Sequence, residues 1–277
     1  MTLGKWDARA ARARDLAANH PSASEGLRFY GHIARFQKSL YAELENLCGT
    51  AQVARLPGTL RQELDLFILL PRFAAFLAIV EENAPAPLAE AASALHAQGV
   101  KLWQEILADF WQPTSAAKSS SESAARSISP HVLLAWAFLQ PYAEYLADYA
   151  AHPLLHAAPQ ACPLCSSKPI VGVLRPEGDG GRRSLICALC ANEWIFRRIV
   201  CPACGEEDVH KLAVYTAQEF PHVRVEACDT CRTYIKTVDL TKDGHAVPVV
   251  DELATIPLNL WASDHGYAKL HANLLGI

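Results

Sequence analysis

Four Cys-x-x-Cys pairs fill the C-terminal half of this 277-residue chain: Cys162/Cys165, Cys187/Cys190, Cys201/Cys204 and Cys228/Cys231. A two-residue separation lets both sulfurs of a pair reach one ion, and two pairs complete a tetrahedral shell. Eight thiols at this spacing therefore predict two four-sulfur metal sites. A disulfide framework suits a short secreted chain without a sufficient core, whereas a chain near this size buries roughly three quarters of its unfolded surface. The first residues carry Lys5, Asp7 and Arg9 and no apolar run of signal-peptide length, which points to the cytoplasm and to reduced thiols. A thioredoxin-like pair would open a helix after a strand, but Asn192–Phe196, which follows the second pair, reads as a strand.

The layout between the pairs suggests which ones cooperate. After Cys165 comes an apolar run, Ile170 to Leu174, then the turn-rich Pro176-Glu177-Gly178-Asp179-Gly180-Gly181, then Ser184-Leu185-Ile186 leading into Cys187. That is a hairpin between two cysteine knuckles. The same pattern recurs with Lys211 to Thr216, the turn Glu219-Phe220-Pro221, and Val223-Arg224-Val225 leading to Cys228. The first pair is expected to join the second and the third the fourth, giving two consecutive zinc-ribbon or rubredoxin-like modules; interleaved pairing is the alternative. In Cys201-Pro202-Ala203-Cys204-Gly205, proline stiffens the turn and glycine takes the positive φ that aims backbone amides at sulfur. Cys162-Pro163-Leu164-Cys165 keeps the proline but is followed by Ser166, while the pairs at Cys187 and Cys228 are recognised by spacing alone.

Tetrahedral sulfur suits iron and zinc alike, so the expectation is two Fe or Zn ions, each held by four cysteines. Four protein ligands leave no open position for a catalytic water, so the chain reads as no enzyme. His210 and His222, nearest the knuckles, read as surface or packing residues. The ten Lys and Arg from Lys168 to Lys236, Arg183 among them, read as solvated surface cations. Acids match them almost one for one, and the lack of a basic patch argues against a nucleic-acid binder.

Composition divides the chain. Residues 1–155, rich in Ala, Leu, Arg and Glu at helical spacing, predict a helical domain; 156–198 and 199–248 are the two metal modules, and 249–277 a helical tail. Helices are expected from Trp6 to His20-Pro21, from Ser24 past Leu47, over Thr59 to Ala84, over Pro87 to Gln112, and from Ser129-Pro130 to Ala151. The run Leu64 to Val80 is interrupted by Asp65 and Arg72 and falls short of the roughly 20 apolar residues of a membrane span. Residues 114–129, with seven serines, read as a flexible loop. Cys48, outside the pairs, reads as a buried small apolar side chain. In the tail, Leu253, Ile256, Pro257, Leu260 and Trp261 form the stripe of one packed helix, with Asp251 at its first turn. The fold class is thus α+β: an N-terminal helical bundle, two four-cysteine modules and a C-terminal helix.

A resemblance lies in the helical opening Arg9-Ala10-Ala11-Arg12 to His20-Pro21 and in Leu139-Gln140-Pro141-Tyr142-Ala143-Glu144. It extends to Gly172-Val173-Leu174-Arg175 and Asn192-Glu193-Trp194 among the cysteine pairs, and to the ending Asp251-Glu252-Leu253-Ala254-Thr255 with Gly266-Tyr267. Together, in this order and over nearly the whole chain, they resemble the FdhE family of formate dehydrogenase accessory proteins. Ser166 departs from that pattern, which usually has glycine there. The resemblance implies a cytoplasmic assembly factor that binds the catalytic subunit of a molybdenum- or tungsten-dependent formate dehydrogenase before export. It also implies iron in rubredoxin-like sites with the eight paired cysteines as ligands. A second copy of the chain is a further candidate partner. The competing classes are a rubredoxin-like electron carrier and, less favoured, a ribbon-type nucleic-acid binder.

Overall fold

The computed structural model describes residues 3–51, 59–62, 64–112, 128–150, 159–178 and 180–276. Its helical half comprises α1 (Gly4–Asn19), α2 (Ser24–Cys48), α3 (Leu66–Asn83), α4 (Ala86–Gln98), α5 (Val100–Trp111) and α6 (Pro130–Asp148). α1 stops before His20-Pro21, as the proline demands. The helix expected from Thr59 begins later, because Leu60–Gln62 is a separate 3₁₀ turn and the Asp65 carboxylate caps α3 by accepting the Ile68 N–H at 3.2 Å. The helix expected over Pro87 to Gln112 is two helices, since Gly99 at φ +79° ends α4 and turns the chain into α5. Of the serine-rich loop expected over 114–129, residues 114–127 lie outside the described residues. Ser129 caps α6 by accepting the Val132 N–H at 3.4 Å, with Pro130 in the first turn. Cys48 is exposed rather than buried; it sits at the end of α2, past Leu44, where the helix's buried stripe stops.

α6 is the axis of this half. Every residue from Leu134 to Ala147 is buried, as expected of a helix apolar all round. Phe138 meets Phe73 with ring centroids 4.7 Å apart, and Phe36 and Phe76 close the cluster. Glu144 on α6 is fully buried and takes Arg9 Nη1 at 2.7 Å and Lys5 Nζ at 3.0 Å, which ties α1 to the axis.

The C-terminal half is one continuous sheet of β1 (Pro169–Glu177), β2 (Gly180–Cys187), β3 (Glu193–Ile195), β4 (Leu212–Thr216), β5 (Val223–Cys228), β6 (Thr233–Asp239) and the short β7 (Ala268–Lys269), in the order β3-β2-β1-β6-β5-β4 with β7 paired to β6. Hairpin β1 and β2 carries β3 antiparallel on its far side. β4, β5 and β6 repeat that layout. The two meanders join through a parallel pairing of β1 with β6. There Gly172 lies opposite Thr237, and a Cβ on residue 172 would overlap the Thr237 hydroxyl. Gly172→Val should therefore destabilise the chain by about 1–3 kcal/mol through overpacking. Urea unfolding of the variant checks this; an unchanged midpoint would mean the two meanders are not held by this junction.

The tail contradicts the single expected helix. α7 (Pro248–Ala254) and α8 (Ile256–Asp264) break at Thr255, and Leu260, placed in the packed stripe by its spacing, is 62% exposed while Leu258 and Ala262 are buried. The break has a cause: Lys236 of β6 is fully buried and donates to the Glu252 carbonyl at 2.6 Å and the Thr255 hydroxyl at 2.9 Å, so these groups serve the lysine. Lys236 and Arg183 are thus interior ion-pair partners, of Glu252 at 2.9 Å and Glu226 at 2.6 Å, rather than surface cations. α7 is wedged between α1 and α2 on one side and β1 and β6 on the other, with Leu253 and Val250 packed on Leu16, Ala17 and Leu27.

Candidate metal centres

The structure gathers all eight paired cysteines into two quartets, Cys162, Cys165, Cys187, Cys190 and Cys201, Cys204, Cys228, Cys231, with the sulfurs of each within 4.8 Å of one another. Neighbouring pairs cooperate, and the interleaved arrangement is not adopted. Each hairpin explains why: its strands start after one knuckle and end at the next, so pairing β1 with β2, or β4 with β5, brings two knuckles together. Sulfur separations are 3.6 Å for Cys162–Cys190, 3.3 Å for Cys165–Cys187, and 3.7 Å for both Cys201–Cys231 and Cys204–Cys228. A disulfide would need about 2.05 Å. Sulfurs about 2.3 Å from a central ion sit ~3.8 Å apart at the corners of a tetrahedron, so the quartets fit a four-coordinate metal.

The knuckles share one backbone form although glycine follows only one of them. The residue after each second cysteine is left-handed: Ser166 at φ 60°, Ala191 at 50°, Gly205 at 81° and Arg232 at 55°. The non-glycine residues bear this at a cost of about 1–2 kcal/mol each. In return the turn closes on itself and points amides at sulfur. Ser166 N–H donates to the Cys162 carbonyl at 2.9 Å, Leu189 N–H to Cys187 Sγ at 3.4 Å and Ala203 N–H to Cys201 Sγ at 3.4 Å.

Comparison with known proteins gives these quartets a context. Residues 161–198 match the sequence profile described as FdhE, central domain, and 199–275 the one described as FdhE, C-terminal domain. The chain belongs to the FdhE family. It is 26% identical over 272 residues to a Protein FdhE homolog of Aquifex aeolicus, covering 94% of this chain and 92% of that one. Against Protein FdhE of Escherichia coli it is 29% identical over 277 residues, covering 97% and 86%. The crystal structure of the FdhE protein from Pseudomonas aeruginosa superposes with a TM-score of 0.71 at 24% identity, over 99% of this chain and 96% of that one, so the two share a fold.

Within this FdhE-family chain the two quartets differ in their surroundings. All four cysteines of the first are at most 2% exposed, whereas in the second Cys204 is exposed and Cys231 half-buried. The helical half seals the first. Trp136 Nε1 and Gln140 Nε2 of α6 donate to the Ala188 carbonyl inside the second knuckle at 3.0 and 3.3 Å, and Leu60 N–H donates to the Leu164 carbonyl inside the first at 3.1 Å. Arg61, next in the 3₁₀ turn, is near enough to feel the charges of Cys165 and Cys187; burial lowers its pKa and those charges pull it back. It stays anchored by donating from Nε to the Trp111 carbonyl at 2.7 Å. This counter-charge was invisible in the sequence because it lies about a hundred residues from the nearest cysteine pair.

Charge is rationed inside each quartet. Hydrogen bonds, first from Cys162, pull the Cys165 thiol far below the ordinary range, while burial pushes Cys187 and Cys190 well above it. Burial likewise raises Cys201 and Cys204, and Cys231 falls against the upward push of its own burial with help from the Thr233 hydroxyl. Placing four thiolates side by side calls for a cation among them.

His222 is no metal ligand candidate of the same kind. Its Nε2 lies 2.8 Å from Asp251, beside Asp243, but Arg12 from α1 already meets Asp243 at 2.9 Å and Asp251 at 2.5 Å and supplies the cation. Asp251 sits in the first turn of α7, as its sequence position suggested, and also accepts the Val247 N–H at 2.7 Å. Burial pushes Asp251 up, but His222 and Arg12 outweigh it and hold the carboxyl low; Arg9 and Lys5 do the same for Glu144, and Lys236 and Lys269 hold Glu252 down to about 2. Carboxyls whose folded pKa is depressed stabilise the fold above their unfolded values near ~4 and lose that contribution as pH falls through the folded ones. Stability should accordingly decline from about pH 5 towards about pH 2. Thiolate protonation adds its own acid loss, so the informative comparison is Asp251→Asn, whose urea-derived stability should fall less steeply with acid than the parent's. Equal slopes would refute the role given to this carboxylate.

Proposed function

We propose that this chain is a cytoplasmic, non-catalytic assembly factor for formate dehydrogenase, which binds the catalytic subunit and carries two iron or zinc ions. Cys162, Cys165, Cys187 and Cys190 hold one ion, and Cys201, Cys204, Cys228 and Cys231 the other. Residues 1–155 act as the helical scaffold, 156–198 and 199–248 as the metal modules, and 249–277 as the tail that clasps both halves. The observation that carries the reading is the pair of closed sulfur quartets, spaced for tetrahedral coordination, in a chain of the FdhE family. When bound, an ion of this kind supplies a cross-link between two knuckles and, if it is iron, a one-electron couple. The chain's own residues do the rest: amides and left-handed turns orient the sulfurs, and α6 with the Leu60–Gln62 turn excludes water from the first quartet. No described helix is long and apolar enough to cross a membrane.

The test is copurification with a tagged formate dehydrogenase catalytic subunit, with metal analysis of the complex. Capture of the subunit with two ions per chain supports the reading, and failure to capture it under anaerobic conditions counts against it. The exposure of Cys204 favours one second reading, an electron carrier. A colourless, zinc-filled protein that still supports formate dehydrogenase activity would remove electron transfer as the role.

A further inference from the structure

The sheet is covered on one face and open on the other along its second edge. Tyr215 of β4 packs on Trp261 of α8 with ring centroids 4.5 Å apart, and Lys236 of β6 reaches Glu252 and Thr255 of the tail, so the tail covers that side. The alternate residues of β4, Leu212 and Val214, lie opposite Cys228 and Glu226 on β5 and, with Ile199 and Val209, line a groove of about 160 Å³. Ile199, Val209 and Val214 are 55%, 57% and 55% exposed. Three large apolar side chains that burial would otherwise claim thus converge on one concavity, whose wall includes Cys201 and Cys228 of the second quartet.

Two further observations say what fits there. β4 ends the strand order and, among the described residues, pairs only with β5, so its outer edge offers N–H and C=O groups to another strand. The lining is also cationic. Arg183 and Arg224 share the single carboxylate of Glu226, each at 2.6 Å, and Arg198 is exposed with no charged partner among the described residues.

We propose that this groove docks an extended segment of a partner protein in which apolar residues alternate along the strand beside an Asp or Glu. The segment adds to the β4 edge, its apolar side chains fill the space between Ile199, Val209 and Val214, and its carboxylate meets Arg198. The choice of a polypeptide occupant rests on the assembly-factor reading; the groove, its edge strand and its charge do not.

Fluorescein-labelled synthetic peptides test it: one alternates Leu and Val with Thr and ends in two Glu, and its twin ends in two Lys. With the full metal-loaded chain at low salt, anisotropy should show the Glu peptide binding at least about tenfold more tightly than its twin, the preference shrinking as salt screens Arg198. Arg198→Glu should reverse the preference, and Val214→Asp should weaken the Glu peptide by about tenfold or more. Both positions are exposed, and unchanged metal content and melting temperature confirm intact folds. The proposal is overturned if neither peptide binds, if the twins bind equally, or if Arg198→Glu leaves the preference alone. It is likewise overturned if sedimentation shows a dimer that Val214→Asp dissolves, which would make a second copy the occupant. Capture of the catalytic subunit undiminished in Val214→Asp and Arg198→Glu overturns the groove as the client surface and leaves the assembly-factor reading standing. Peptide binding without capture by the parent does the reverse.

Discussion

Cys187→Ser is expected to cost the protein one of its two ions and most of its stability. Cys187 is 1% exposed and closes β2, and the knuckle it opens carries the Ala188 carbonyl that Trp136 and Gln140 hold from α6. Structural zinc in small modules contributes about 10–16 kcal/mol of apparent binding free energy. That is of the order of the whole stability of an ordinary domain, about 5–15 kcal/mol. Removing one of four ligands here leaves three buried thiols without their cation, directly beneath the helical core. The expected result is about one ion per chain and a melting temperature lower by more than about 10 °C, measured by elemental analysis and circular dichroism. A variant that keeps two ions or melts like the parent would remove the first quartet from the ligand list.

The second large effect is a difference in rate between the centres. Cys204 is exposed and Cys231 half-buried, so a chelator or alkylating reagent reaches the second quartet from solvent. The first opens only when α6 and the Leu60–Gln62 turn lift from its knuckles. Each ~1.4 kcal/mol of extra opening free energy slows access tenfold. Release of the two ions to a chelator should therefore be biphasic, with phases at least about tenfold apart, and Cys204→Ser should abolish the fast one. Mass spectrometry should find iodoacetamide on Cys204 before any cysteine of the first quartet. A single release phase, or early modification of Cys165 or Cys190, would show that the helical seal does not govern access. Cys204→Ser should also melt close to the parent in its helical half, in contrast to Cys187→Ser, because the tail and β6 hold the second meander in place independently of that knuckle.

Much of the site could be read from spacing. A pair of cysteines two residues apart, then a strand, a turn, a strand and another pair, leaves little choice of partner, because hairpin closure brings neighbouring knuckles together. The left-handed turn at Gly205 was legible in the same way, since glycine takes a positive φ freely; its recurrence at Ser166, Ala191 and Arg232 was not, because no side chain there announces it. The helices ended at proline and glycine, with Pro21, Gly49 and Gly99 stopping α1, α2 and α4 through local backbone geometry. Gly99 was nevertheless overlooked as a boundary, because apolar periodicity continues on either side of it.

Other features depended on partners remote in the chain. Arg183 and Lys236 looked like surface cations because nothing local distinguishes them from Arg182 or Lys242; only the folded sheet places Glu226 beside Arg183, and only the docked α7 places Glu252 beside Lys236. The break of the tail at Thr255, the exposure of Leu260 and the burial of Asp251 under Arg12 follow from where α7 is wedged. Local order thus determined the thiol quartets, the knuckle turns and the helix ends, since each arises from dihedral limits and loop closure over a few tens of residues. The joining of two meanders through β1 and β6, the sealing of one quartet and exposure of the other, and the open groove at β4 were decided by tertiary packing. They depend on which surfaces separate segments of the chain bury against each other, and periodicity within a segment carries no record of that choice.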